Sequence, residues 1–110
     1  MERNSLLRTA HNLYKSKKLI KILLEYEEDN ENNKIINSVR ITGDFFLYPE
    51  ERLDDLEMQL KGTRLAKDEL KRKIDKCLNT SEAFGFDSES LSDAILGCLT
   101  RRLTNKLRKK

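Results

Sequence analysis

The hydrophobic side chains of residues 17–28, KKLIKILLEYEE, recur at every second position, which is the period of a β-strand with one buried face. Ile20, Ile22, Leu24 and Tyr26 fall on that face. The polar run that follows, DNENN, is rich in Asn and Asp, which adopt turn conformations readily. Because a second strand-like run comes next, the pattern predicts an antiparallel hairpin.

The second predicted strand is KIINSVRITG, residues 34–43. Strict alternation places Val39 and Ile41 on one face of this strand, and on the other face Ile36, Ser38, Arg40 and Thr42. The next residues, DFFLY, predict a short third strand.

Helical spacing begins after Pro49, a residue that suits the first helical position because its missing N–H would have no partner there. Gly62 is predicted to end this helix in a left-handed conformation. A second helix is predicted over residues 66–78, and a third starts at Asp87 or Ser88 and continues through residue 103 into the basic tail. The predicted inward-facing residues are Leu53, Leu56, Leu60, Leu70, Ile74, Cys77, Leu78, Leu91, Ala94, Ile95, Cys98 and Leu99.

The N-terminal segment also shows helical spacing, with apolar residues at positions 6, 7, 10, 13 and 14. We interpret residues 3–14 as a short amphipathic helix, formed either on the protein's own core or against a partner.

These elements predict an α+β fold, in which an antiparallel β-hairpin or three-stranded sheet is covered on one face by about three helices, with an extra N-terminal helix. The 110 residues suit a single domain, residues 1–110, with an N-terminal segment at 1–14 and a basic tail at 101–110.

The charges are unevenly distributed, although the formal net charge is only +3. Residues 1–21 carry six basic side chains and one acidic, residues 101–110 carry six basic and none acidic, and residues 22–99 carry ten basic and eighteen acidic. Basic ends suit contact with nucleic acid or an acidic protein. Because no aromatic residues interleave the basic clusters to stack on bases, the pattern disfavours nucleic acid.

The two cysteines, Cys77 and Cys98, and the single histidine, His11, do not form a zinc-ligand pattern. We interpret the cysteines as small buried side chains in a reducing cytoplasm. No apolar run approaches the roughly 20 residues that cross a bilayer, and the N-terminus lacks the apolar block of a signal peptide. We therefore expect a soluble cytoplasmic protein.

The sequence shows no catalytic constellation and no metal-ligand set. No nucleophile is paired with a candidate base, and the four glycines are too scattered for a phosphate-binding loop. Asp44 is the one carboxylate in a distinctive position, since it follows Gly43 at a strand end. We expect it to accept hydrogen bonds from nearby backbone N–H groups.

Phe45 and Phe46 are adjacent, so in extended backbone their rings leave on opposite faces. One ring is then predicted to enter the core and the other to contact a second surface. A bend in the chain would instead let both enter the core, and the sequence leaves these alternatives equal. An aromatic anchor on a domain without chemistry of its own indicates a partner protein.

Three segments of the chain, YKSKKLIKILLEYE, VRITGDFFLYPEE and EAFGFDSESLSDAIL, resemble the C-terminal accessory domain of lipoate-protein ligases. They are similar to that domain's Lys-rich start of its first strand, its Gly-Asp-Phe-Phe signature with an acidic helix, and its closing Phe-Gly connector and helix. The resemblance spans about residues 14–96. Because 110 residues leave no room for a catalytic domain, the chain is similar to the separate small subunit of bipartite ligases, which are mostly archaeal.

The resemblance implies a non-catalytic subunit that binds a ligase catalytic subunit as a heterodimer and serves chiefly the activation step. The complex would use ATP, Mg²⁺ and lipoate to form lipoyl-AMP and then modify a lysine of a lipoyl acceptor domain. The catalytic lysine and the nucleotide loops would lie on the large subunit, and this chain alone would bind no cofactor.

Residue by residue, the resemblance implies a partner interface at Gly43, Asp44, Phe45 and Phe46 and a nucleotide or partner contact at Lys18. Family members often carry Gly-Gly before that lysine, where this chain has Ser-Lys. The alternative function is a small basic-ended module that binds nucleic acid, with an affinity that falls steeply with salt, or that regulates another protein.

Overall fold

Three ten-residue strands form the main sheet in a computed structural model, which describes residues 6–15 and 17–108 and, within them, the side chains up to residue 99. They are β1 (Leu6–Lys15), β2 (Leu19–Glu28) and β3 (Lys34–Gly43). All neighbours are antiparallel, in the order β1-β2-β3. The predicted hairpin and the three-stranded alternative are thus confirmed, and the Asp29 carboxylate holds the β2–β3 turn by accepting two backbone N–H bonds.

The N-terminal segment is a strand, so the predicted helix over residues 3–14 is wrong for the described part of that range. β1 pairs with β2 along its full length, from Leu6 opposite Glu28 to Lys15 opposite Leu19. A short isolated helix is marginal, whereas this ladder satisfies backbone groups along ten residues. Residues 3–5 of the predicted helix lie outside the described residues.

A β-bulge in β3 corrects the predicted face of Ile36. The pairing shifts between Glu25 and Tyr26 of β2, so that Asn37 is an extra residue in β3. The extra residue inverts the alternation beyond it, because side chains change face at every position. Ile36 therefore lies buried on the same face as Val39 and Ile41, at 1% exposure.

A second, two-stranded sheet contains β4 (Phe46–Tyr48) and β5 (Glu82–Phe84), paired antiparallel. The segment DFFLY thus includes a short strand, as predicted. This short strand pairs with β5 and does not join the hairpin. The third strand of the main sheet is β1.

In the described part of the chain, three helices complete the α+β fold: α1 (Glu51–Leu60), α2 (Lys67–Leu78) and α3 (Ser88–Arg108). α3 lies against β1 and β2, α1 lies against β3, and α2 packs between the two helices. All three cover one face of the main sheet, where the alternating residues of β2 and the predicted helix stripes form one core. The backbone of α3 is helical to Arg108, so the helix takes in most of the predicted basic tail.

Of the two predicted ends of α1, the first differs from the prediction and the second is confirmed. Pro49 is not the first helical residue, because α1 begins at Glu51 with Glu50 at the N-cap. The Pro49 carbonyl instead accepts a 2.9 Å bond from the Arg52 N–H. Gly62 follows α1 with a φ of 80°, as predicted, and its N–H donates to the Ile36 carbonyl of β3 at 2.8 Å.

Candidate functional site

The three segments that carry the family resemblance meet at one end of the main sheet. The start of β2, the junction of β3 with β4, and the connector between β5 and α3 contact one another there. We call this group the motif cluster: Lys18, Gly43, Asp44, Phe45, Gly85 and Phe86.

Gly43 lies so close to β2 that no larger residue fits without a shift of the backbone. Its φ is 148°, and a Cβ at this position would clash with the Leu19 carbonyl oxygen. The same oxygen accepts a 3.0 Å hydrogen bond from the backbone N–H of Asp44. Glycine is thus required by both the conformation and the close approach, and the strand end is pinned through main-chain atoms.

The carboxylate of Asp44 is exposed, and among the described residues it accepts no hydrogen bond. The predicted bonds from nearby backbone N–H groups to this carboxylate are therefore not found. Main-chain pairing already holds this junction, so the side chain is left in solvent with its charge available to a partner.

Phe45 and Phe46 separate as their adjacency predicted, and the arrangement with both rings in the core is not found. Phe45 packs against the core, with its ring edge-on to Phe86 at a centroid distance of 4.9 Å. Phe46 is 50% exposed. Of the two alternatives that the sequence left equal, the structure has the one expected for extended backbone, in which neighbouring side chains point to opposite faces.

Lys18 is exposed overall, and its aliphatic stem lies against the connector. A Cβ on Gly85 would come within 2.6 Å of Lys18 Cγ and 3.2 Å of the Phe45 Cβ. Glycine at this position lets the stem of Lys18 pass over the connector. Ser16, the first residue of the pair that replaces Gly-Gly, lies outside the described residues.

A reciprocal cap fixes the connector at the start of α3. Asp87 Oδ1 accepts a 2.8 Å bond from the Ser90 N–H, and the Ser90 hydroxyl accepts a 3.0 Å bond from the Asp87 N–H. The bond from the Ser90 backbone lowers the pKa of Asp87, and the charge of Lys17 adds to that lowering. Of the two predicted caps, Asp87 is the one that forms.

Two further aromatic residues, Tyr48 and Phe84, belong with Phe46 and were missed in the sequence. Phe46 stacks on Tyr48 at a centroid distance of 6.3 Å and contacts Phe84 at 5.9 Å. Their exposed fractions are 55% for Tyr48 and 58% for Phe84. The alternation of residues 46 and 48 gave a signal for Tyr48, but the position of Phe84 depends on the pairing of β4 with β5.

The described residues offer little chemistry of their own. Within this part of the chain, no three His, Cys, Asp or Glu side chains are grouped so that they could hold a metal ion. Cys77 and Cys98 are buried thiols, and burial raises the pKa of the Cys77 thiol. No described helix is long and apolar enough to span a membrane.

Comparison with known proteins agrees with this arrangement. Residues 11–95 match the family model described as bacterial lipoate protein ligase C-terminus. The fold matches a chain in the structure of an archaeal lipoylation system, a bipartite lipoate protein ligase and its E2 lipoyl domain from Thermoplasma acidophilum. The TM-score is 0.66 at 26% sequence identity, over 82% of this chain and 97% of that chain. No curated protein sequence matches.

The family match contains the whole motif cluster and most of the core, from the middle of β1 to the buried half of α3. Its extent agrees with the span of about residues 14–96 over which the three segments resemble the family. The structural match takes in nearly all of the archaeal chain, so the likeness is to a chain of about this size. This chain therefore belongs to the lipoate-protein ligase C-terminal domain family.

Proposed function

We propose that this chain is the accessory subunit of a bipartite lipoate-protein ligase. It binds the catalytic subunit as a heterodimer in the cytoplasm and enables ATP-dependent activation of lipoate to lipoyl-AMP for the lipoylation of acceptor domains. The observation that carries the proposal is the match to nearly the full length of a chain in an archaeal bipartite ligase structure. Family membership over residues 11–95 supports it.

The chemistry is assigned to the catalytic subunit. Mg²⁺ prefers clustered oxygen ligands, and the described residues do not present a three-residue group of metal-ligating side chains. The scattered glycines likewise do not form a phosphate loop. In this proposal the catalytic subunit binds ATP, Mg²⁺ and lipoate, and this chain acts on that site through contact.

Such an effect requires that this chain bind the activation-competent conformation of the catalytic subunit more tightly than other conformations. A shift of that conformation from 1% to 99% would take about 5.5 kcal/mol of differential binding. A rigid surface suits this role, because a flexible one loses part of the binding free energy to ordering. The motif cluster is held by the main-chain bond between Leu19 and Asp44, by the edge-on pair Phe45 and Phe86, and by the cap of α3.

Gly43 and Phe45 of the motif cluster give the surface its shape, whereas Asp44 and Lys18 of the cluster and the adjacent Phe46 make the contacts. Asp44 and Lys18 are both exposed and carry opposite charges, so they suit polar contacts at a rim. Lys18 contacts either the nucleotide or the partner. The two roles separate in kinetics: Lys18→Gln raises the KM for ATP if the lysine contacts nucleotide, and raises the Kd between subunits if it contacts protein.

The test is reconstitution of the catalytic subunit encoded by the same organism, with and without this chain. Lipoyl-AMP formation from ATP and lipoate is measured in one assay, and transfer from preformed lipoyl-AMP to an acceptor domain in another. Activation is expected to require this chain, whereas transfer is not. Full activation by the catalytic subunit alone, or turnover by this chain alone, would overturn the proposal.

Two other outcomes would identify a different function. Tight binding to the catalytic subunit without restored activation would indicate a regulatory or scaffold role. A failure to bind that subunit, together with an affinity for DNA or RNA that falls steeply with salt, would favour the nucleic-acid alternative.

A further inference from the structure

The small β4–β5 sheet carries an exposed surface made almost entirely of aromatic rings. Its outward side chains are those of Phe46 and Tyr48 on β4 and of Glu82 and Phe84 on β5. Leu47, between the two rings of β4, points inward and is buried. We call the four outward residues the aromatic face.

The size of the aromatic face is that of a binding hot spot. The three rings are each at least half exposed, at 50%, 55% and 58%. A fully buried aromatic side chain covers about 150–250 Å². The rings therefore leave roughly 300 Å² of mostly apolar surface in water, within the range of functional patches on monomers. That area fits the centre of a contact with about 800 Å² per partner.

The rings are held in place before any partner arrives. Phe46 contacts both Tyr48 and Phe84, and the backbone beneath them is paired from Phe46 opposite Phe84 to Tyr48 opposite Glu82. Leu47 anchors this ladder in the core. Pre-ordered aromatic side chains contribute contact area at a low cost in conformational entropy.

A carboxylate completes the aromatic face. Glu82 lies opposite Tyr48 in the ladder, and among the described residues it forms no ion pair. Desolvation of an unpaired charge is costly, so a partner that covers this face must supply a cationic group opposite Glu82. Exposed Asp44 and Glu50 flank β4 in the chain and carry further negative charge.

We propose that the aromatic face docks into an apolar pocket of the ligase catalytic subunit that carries a Lys or Arg opposite Glu82. This inference rests on the function proposed above and locates its main binding contact. The face is continuous with the motif cluster, since Phe46 follows Phe45 and Phe84 precedes Gly85. Docking of the rings thereby presents the motif cluster to the catalytic subunit in a fixed orientation.

The experiment compares variants in which exposed side chains are truncated on two different surfaces. The test variants are Phe46→Ser, Phe84→Ser and the double variant. The control is Leu23→Ser, which removes a side chain that is 52% exposed on β2, on the uncovered face of the main sheet. Each purified variant is titrated with the catalytic subunit, and its fold is checked by circular dichroism and thermal unfolding.

Each ring truncation is expected to weaken binding by at least about 30-fold, the size of a hot-spot effect, while Leu23→Ser leaves the Kd unchanged. Glu82→Lys is expected to weaken binding as well, and a Lys→Glu or Arg→Glu change at the facing cation of the catalytic subunit should restore it. Ring variants that fold and bind like the wild-type chain would overturn this inference and leave the proposed function standing. Wild-type protein that does not bind the catalytic subunit would overturn both.

Footprinting on the wild-type chain covers the case in which a ring variant does not fold. Hydroxyl-radical labelling with mass spectrometry is expected to show protection of Phe46, Tyr48 and Phe84 in the complex, with Leu23 equally labelled in both states. Unchanged labelling of the rings would overturn the inference. Protection of the same rings in the free chain at rising concentration would assign the face to a second copy and would also overturn it.

Discussion

The side-chain amide of Asn12 lies directly over Gly97, joining the middle of β1 to α3. A Cβ at position 97 would come within 2.5 Å of Asn12 Nδ2. The same nitrogen donates a 3.0 Å hydrogen bond to the Ala94 carbonyl, and Asn12 is only 7% exposed. The absence of a side chain at 97 therefore creates the space for a buried polar link between strand and helix.

Gly97→Ala is expected to destabilise the protein, although alanine is the better helix former. Alanine contributes up to about 1 kcal/mol through helix propensity. The added methyl group displaces the Asn12 amide from its bond, and a buried polar group left unpaired costs about 1–3 kcal/mol. The measurement is the free energy of unfolding in urea, with an expected net loss of up to about 2 kcal/mol.

A double-mutant cycle with Asn12→Ala isolates this contact. In the Asn12→Ala background the methyl group has no amide to displace, so Gly97→Ala should become neutral or stabilising. The expected coupling free energy is at least about 1 kcal/mol. Equal effects of Gly97→Ala in both backgrounds would show that Asn12 does not explain this glycine.

The N-terminal strand illustrates what the sequence alone could not predict. The apolar residues of the segment from Leu6 to Tyr14 fit helical spacing, and the choice of strand comes from pairing with β2, which no local pattern encodes. The bulge at Asn37 could not be predicted either, because strict alternation of side chains holds only where the strand register does not shift. The faces of β2 and the three helix stripes were predictable because each is a regular local period.

In the candidate site, too, some features follow from a local sequence pattern and others depend on contacts between distant segments. The sequence offered the opposite directions of Phe45 and Phe46 as one of two equal alternatives, because adjacent side chains leave extended backbone on opposite faces, and only the structure distinguishes them. The contact of Lys18 with the connector and the position of Phe84 beside Phe46 depend on chain segments far apart in sequence. Such contacts become visible only when the strand pairs are known.

Gly43→Ala is expected to destabilise the protein by at least about 3 kcal/mol, the sum of backbone strain and steric overlap. The backbone at this position has a φ of 148°, and such strain costs about 1–3 kcal/mol for residues other than glycine. The new Cβ also clashes with the Leu19 carbonyl, a main-chain atom of the neighbouring strand. Urea denaturation measures the loss.

Gly62→Ala is the matched control for Gly43→Ala. Gly62 also has a positive φ, of 80°, but a Cβ there would have no atom within 4 Å. Its cost should be limited to the conformational term of about 1–2 kcal/mol. Equal losses for the two variants would mean that the close approach of Gly43 to β2 contributes nothing.

The two signature phenylalanines are expected to have different effects on stability. Phe45→Ala removes a ring that packs on the core and on Phe86, so it should cost about 3 kcal/mol or more. Phe46→Ala removes a half-exposed ring and should cost less than about 1 kcal/mol. Thermal and urea unfolding compare the two variants directly. A larger loss for Phe46→Ala would contradict the division of the motif between core and surface.

The cap of α3 should make folding stability depend on acid pH. Hydrogen bonding by Ser90 lowers the pKa of Asp87 in the folded state, so its ionised form stabilises the fold. This stabilisation is fully present above the ordinary pKa of aspartate and is lost as the pH falls through the lowered pKa.

In Asp87→Asn the side-chain oxygen still accepts the Ser90 bond but cannot be protonated in this range, so that variant should lose less stability in acid. Asp44→Asn, which replaces an exposed carboxylate that accepts no hydrogen bond among the described residues, is the matched control and should follow the wild-type curve. The measurement is the free energy of unfolding in urea from neutral pH into the acid range at constant ionic strength. Parallel curves for the wild-type chain and Asp87→Asn would show that the cap does not contribute to the acid sensitivity.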